Sequence, residues 1–287
     1  MRDTPPAARL SWWAAPTLVA VAALVASAVH WLQGTVYAWI SGGLARPGVL
    51  VERDPLALGV SQAFGVLAAL LVAHLLWPAP VGLRERVGLL PVPLRAGALA
   101  LLAGAGMQLP LSEIASLVEW IAPRPPAERL AALLPRPSLE QPGRALAALL
   151  GVVVLAPIAE EVLFRGLLLR GLRERYGTGF ALGVSSAMFA LAHGLHAAPH
   201  ALVAAVILGA VVLRTGSIVP AIGMHAATNA VPFLLTAEVA RIDGFNVPSE
   251  RGEHVSWPWL LGSMVLCVAT LVPLLVPERA RSDRATE

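Results

Sequence analysis

Three ionisable side chains, Glu160, Glu161 and Arg165, interrupt an otherwise apolar run that extends from Leu149 to Leu169. A run of this length and composition is what a membrane-crossing helix needs, about 20 residues rising about 1.5 Å each. On insertion scales each charge near the centre costs roughly 2.5–3.5 kcal/mol, so the three together cost about 10 kcal/mol. The fourteen Leu, Ile, Val and Phe residues between Ala145 and Leu169, at roughly 0.3–0.6 kcal/mol each, return about 4–8 kcal/mol. The charges therefore cancel most or all of this helix's affinity for lipid. Groups this costly inside a membrane mark function before architecture.

The remaining chain points the same way. Of 287 residues, 57% are hydrophobic and 14% charged, too apolar for a soluble domain of this size. Eight apolar segments are long enough to draw as spans, roughly 14–33, 57–77, 95–121, 145–169, 179–193, 200–213, 217–236 and 256–276. The fold expected is all-α, a polytopic membrane helix bundle of about eight transmembrane helices in a single integral-membrane domain, 1–287. The fifth and sixth segments are short for a crossing, which takes about 20 residues. All eight Trp residues lie near segment ends, where an amphipathic ring sits at headgroup level. The first segment closes on Ala26-Ser27-Ala28, which imitates a signal-peptide cleavage site. With Trp12 and Trp13 ahead of its core and seven more segments behind, it reads as a retained helix. The stretch 122–144, rich in Pro and Arg, is the longest irregular connection and a candidate surface helix.

Charge and cysteine content exclude several classes. All 21 basic residues are Arg, and they are scattered through loops and tails with no phosphate-binding face. That argues against nucleic acid as a partner. On the drawn topology twelve Arg fall on the side of the N-terminus and eight on the other, with Arg165 inside, which favours a cytoplasmic N-terminus. Cys267 is the only cysteine, so no internal disulfide and no paired-cysteine metal site can form. It reads as a small buried hydrophobe.

Two further polar sets occur downstream: Phe189-x-x-x-His193 closes the fifth segment, and His225-x-x-x-Asn229 lies inside the seventh. A spacing of four puts His225 and Asn229 on one helical face. Glu161 and Arg165 are also four apart, in the favourable order for an intrahelical ion pair, whereas Glu160 is rotated by about 100°. The expected division of labour holds Glu161 with Arg165 and leaves Glu160 to take a proton as general base. His30 and His74 read as structural, and His196 and His200 as candidates for the rim of a site. Glu113 and Glu119 read as interfacial, with a place in a polar cavity as the alternative.

In order, Glu160-Glu161-x-x-x-Arg165, Phe189-x-x-x-His193 and His225-x-x-x-Asn229 resemble the three motifs of the CAAX protease and bacteriocin-processing family, the glutamic intramembrane proteases. The resemblance covers about 145–236. It implies an intramembrane endopeptidase in which Glu160 and His193 activate a water molecule, Glu161 and Arg165 support them, and His225 and Asn229 stabilise the oxyanion. A zinc-dependent version of the same protease would take Glu160, His193 and His225 as ligands. No His-Glu-x-x-His pair is present and the ligands would come from three separate helices, so no cofactor is expected.

Other intramembrane protease classes fit poorly. Gly183-Val184-Ser185 continues with Ser186, so a Gly-x-Ser-Gly string is missing, as is Gly-x-Gly-Asp. A transporter would show inverted repeats, which are not evident, and a silent scaffold would not need the full set of reactive side chains. The expected partners are the lipid bilayer and a membrane-associated protein or peptide substrate. The Arg-only, Ala- and Pro-rich composition suggests a GC-rich bacterial gene. A bacterial inner membrane is therefore expected, and of the substrate classes the family resemblance implies, peptide maturation, self-immunity or C-terminal sorting is favoured over prenylated substrates.

Overall fold

The computed structural model describes residues 9–40, 54–124, 142–247 and 253–276. Every regular element among them is helical: α1 (Ala14–Ile40), α2 (Pro55–Leu76), α3 (Leu83–Arg86), α4 (Leu94–Ile121), α5 (142–176), α6 (Thr178–Ala192), α7 (Ala198–Thr215), α8 (Val219–Leu234) and α9 (Trp257–Leu275). Six of these helices are long and apolar enough to cross a membrane; α6, with 15 residues, is shorter, as is α8, with 16. The eight drawn segments correspond one to one with the eight long elements, and α3 is an added single turn. The protein is a multi-pass integral membrane protein. The interior of the predicted surface helix, 125–141, lies outside the described residues.

The chain forms two compact units, Asp3–Leu89 with Pro135–Met188 and Leu90–Leu134 with Phe189–Glu287. In the first, α2 packs against both α1 and α5. Its start is written in Asp54-Pro55: the Asp54 carboxylate accepts from the N–H groups of Leu56 at 2.9 Å and Ala57 at 3.3 Å, and Pro55 occupies a position where no N–H is needed. Its end is capped by a cation, since the Arg86 guanidinium on α3 donates to the carbonyls of Ala73 at 2.9 Å and Trp77 at 2.8 Å. Burial pushes the Arg86 pKa below its ordinary value.

The packing of α2 is inverted relative to a soluble helix. Leu67, Leu71 and Leu75 are 59%, 59% and 67% exposed, while Ala69 and Ala73 are fully buried. Lipid does not penalise outward leucines, so small residues take the inside and let backbones approach. Gly65 lies against the Ala22 carbonyl on α1, and Gly59 lies against Gly151 on α5.

The helix α5 widens twice. Residues Leu149–Leu155 and Glu161–Leu169 are π-helical and bracket one α-helical turn, Ala156–Glu160, with αR backbone at each junction. The first wide turn ends just ahead of Pro157, whose ring would clash with the carbonyl one turn back in a regular helix. Widening there relieves the clash, and such turns are frequent at functional sites.

In the second unit α4 is the central helix, with α8 and α9 packed on it. Gly104 and Gly106, two positions and so about 200° apart, make the two contacts: Gly104 lies under the Met224 backbone of α8, and Gly106 under Cys267 and Ser263 of α9. Pro110 sits inside α4 and cannot donate to the Gly106 carbonyl. The Ser263 hydroxyl supplies that bond from α9 at 2.8 Å. The connection after α8 folds back on α4 around Asn246. Its amide donates to the carbonyls of Leu235 at 2.9 Å and Ala240 at 2.8 Å and accepts from the Ile242 N–H at 2.8 Å.

Candidate active site

The first group of site residues stands on α5. Glu161 and Arg165 are both buried, and Arg165 Nη1 donates to Glu161 Oε1 at 2.9 Å. Glu160 closes the short α-helical turn between the two π-helical stretches and is half-buried. Gln62 of α2 reaches it, Nε2 donating to Glu160 Oε1 at 3.3 Å. Adjacent in sequence, the two carboxylates thus occupy different settings: Glu161 is sealed against a guanidinium, and Glu160 is half-buried and accepts from Gln62. Sequence reading missed Gln62. Its signal was a polar pair, Ser61-Gln62, in the middle of an apolar segment, where polar side chains usually join helices.

The second group surrounds a cavity of about 220 Å³ in the second unit. His193 and Phe189 from the end of α6, His225 and Asn229 from α8, and His200 from α7 all line it. Gly194, at φ 80°, ends α6 and holds His193 in the turn immediately after the helix. Phe189 organises both imidazoles: its ring centroid is 4.4 Å from that of His193 and 5.9 Å, edge-on, from that of His225. Its carbonyl lies 2.8 Å from His193 Nδ1. A carbonyl only accepts, so Nδ1 carries the proton and Nε2 of the neutral ring is the acceptor nitrogen.

His225 is buried and Asn229 half-buried, one turn apart on α8. Their helix is pinned to α4 by Thr228, whose hydroxyl lies 2.9 Å from the Gly104 carbonyl and 3.0 Å from that of Met224. On α4, Gln108 donates to Ser112 at 3.1 Å, and both line the cavity beside Met107 and Leu111. These α4 residues were not anticipated, because a lone Gln or Ser in an apolar segment carries little information by itself.

The other polar candidates have separate duties. Glu113 holds the connection after α8, accepting from His254 Nδ1 and, at 2.7 Å, from the Val255 N–H. Glu119 pairs with Arg124 at 2.7 Å. His196 Nε2 meets the Ala122 carbonyl at 3.0 Å and does not line the cavity, so only His200 of the two rim candidates does. Glu160, Glu161 and Arg165 belong to the first unit, and His193, His225 and Asn229 to the second.

Residues 142–231 match the model of a protein family, Type II CAAX prenyl endopeptidase Rce1-like. The matched stretch is just under a third of the chain and contains all three motifs. It agrees with the resemblance carried by the motifs and supports a membrane-embedded endopeptidase of the CAAX type in general. No curated protein and no solved structure matches the chain.

Proposed function

We propose that this protein is an intramembrane endopeptidase of the CAAX protease and bacteriocin-processing type, working through a glutamate-activated water. Glu160 and His193 hold the water, and Glu160 takes its proton as the oxygen adds to the scissile carbonyl carbon. Donors on His225 and Asn229 meet the oxyanion, and Glu161 with Arg165 fixes the helix beside the base. Collapse of the intermediate breaks the C–N bond as the proton passes from Glu160 to the leaving nitrogen. The carboxylate is thereby regenerated.

The observation that carries this reading is the gathering of His193, His225 and Asn229, from two separate motifs, around one cavity. At about 220 Å³ it exceeds the roughly 150 Å³ that accepts a benzene molecule in a protein core, room for a peptide group with a neighbouring side chain. The substrate class proposed is a membrane-associated bacterial protein or peptide, cut in the inner membrane by an enzyme whose N-terminus is cytoplasmic.

The test compares membrane and secreted proteomes of cells carrying the wild type with cells carrying Glu160→Gln. Uncleaved termini should accumulate only with the variant; indistinguishable termini would refute the proposal. The mechanism proposed needs no metal, so purified enzyme should keep its activity in chelator. Loss of activity that zinc restores would instead assign Glu160, His193 and His225 as ligands.

A further inference from the structure

The walls of the cavity account for most of their own polar groups. Gln108 and Ser112 bond each other, Thr228 is committed to backbone carbonyls, and His193 Nδ1 is committed to Phe189. His200 differs. It lies in the first turn of α7 and lines the cavity, yet its Nδ1 is buried with no hydrogen-bond partner among the described residues. A proton on that nitrogen would be a buried donor with nothing to receive it, a costlier defect than an unmet lone pair. The ring hydrogen therefore belongs on Nε2, and the accessible part of this half-buried side chain is a neutral N–H donor.

Below His200 the α7 wall is apolar and partly shallow. Ala204 and Leu208 follow at four-residue steps on the same face, with Ala201 beside them, and all three line the cavity. The two alanines leave space where larger residues would fill it, and His200 is the polar end of this stripe. An extended peptide laid along it would present a backbone carbonyl whatever its sequence, and a neutral N–H is matched to a neutral carbonyl.

We propose that His200 is a substrate-positioning residue of the protease site, its Nε2–H donating to a backbone carbonyl of the peptide that enters the cavity. The inference rests on the protease reading and extends it by a third imidazole whose task is recognition. His200 orients the peptide and transfers no proton.

The experiment uses a fluorogenic peptide that the purified full-length wild type cleaves, and measures kcat and KM across pH for three variants. The amide nitrogen of Gln stands about where Nε2 does, and that of Asn about where Nδ1 does. His200→Leu and His200→Asn should raise KM about tenfold, the value of one net hydrogen bond, with kcat and the pH limbs unchanged. His200→Gln should restore KM to within about threefold of wild type. Equal KM in all four proteins, a Gln variant no better than Asn, or displaced pH limbs would overturn the assignment while leaving the protease reading intact. A wild type that cleaves no peptide overturns that reading, and this inference falls with it. Thermal unfolding of each variant identifies any that fails to fold, and the Gln and Asn pair then decides alone.

Discussion

The buried Glu161–Arg165 pair offers the sharpest energetic test, because both side chains are at most 1% exposed and held at 2.9 Å. Replacing Arg165 with Met removes the cation that Glu161 bonds in a low-dielectric interior. Breaking a buried pair from one side typically costs about 3–5 kcal/mol. Glu161→Gln from the other side removes the carboxylate that Arg165 bonds, though the amide can still accept and Glu160 still attracts the guanidinium, so about 2–4 kcal/mol is expected. The double variant removes both charges of the pair together, and apolar or neutral replacement of such pairs is often neutral or stabilising by about 1–4 kcal/mol. The singles should thus be far worse than the double, with a coupling energy above about 2 kcal/mol. Reversible unfolding in bicelles, followed by circular dichroism, reads all four proteins. Singles that cost under 1 kcal/mol, or a double as unstable as the sum of its parts, would refute the claim that the two buried charges stabilise each other. Activity then separates stability from function: the double should fold well yet turn over slowly, because Glu160 has lost the neighbour that orients its turn.

Four shorter predictions use the same protein. Asn229→Ala should slow kcat about 100-fold or more, as loss of an oxyanion donor does, while the protein stays folded; native-rate cleavage removes Asn229 from the mechanism. Gly104→Ala should destabilise by about 1–3 kcal/mol and lower kcat about tenfold or more, because the new Cβ runs into the Met224 backbone and shifts the turn that carries His225. Gly223→Ala is its control: the nearest atom to the added Cβ is Leu101 Cδ2 at 3.6 Å, ordinary contact, so the variant should be neutral or more stable by up to about 1 kcal/mol in the same unfolding assay. Ser263→Ala should cost about 1 kcal/mol by leaving the Gly106 carbonyl unmet, and Pro110→Ala, which restores an N–H to α4, should make it silent; equal penalties in both backgrounds would contradict that account.

How far the sequence could be read depended on the distance between interacting residues along the chain. Helix existence was legible for each of the eight long elements: 95–121 and 57–77 were expected where Leu94–Ile121 and Pro55–Leu76 are found. Boundaries failed where hydropathy and helicity part. The first segment was drawn to residue 33, yet α1 continues to Ile40, because Gln33 and Gly34 lower hydropathy without breaking the hydrogen-bond ladder and Thr35 bonds back to the Trp31 carbonyl. The sixth was drawn as 200–213 and runs Ala198–Thr215, with Pro199 in its first turn and Gly216 at φ 72° as its stop. Those are signals that a window of apolarity does not register.

Chemistry divides along the same line. Glu161 and Arg165 meet because residues four apart in a helix share a face, a relation that any reading of spacing contains. Gln62 and Glu160 are 98 positions apart, and Gly106 and Ser263 are 157 apart, so no local period connects them. What the chain does print locally is permission: a glycine where a backbone must come close, a proline whose neighbour loses a donor, a serine placed to replace it. Each is ambiguous alone, since Gly and Ser abound in membrane helices. Gly104 acquires meaning only once Met224 lies against it, and that contact carries the position of His225. Recognition of the motifs succeeded because reactive side chains in lipid are costly enough to stand out, whereas the residues that aim them are cheap and blend in.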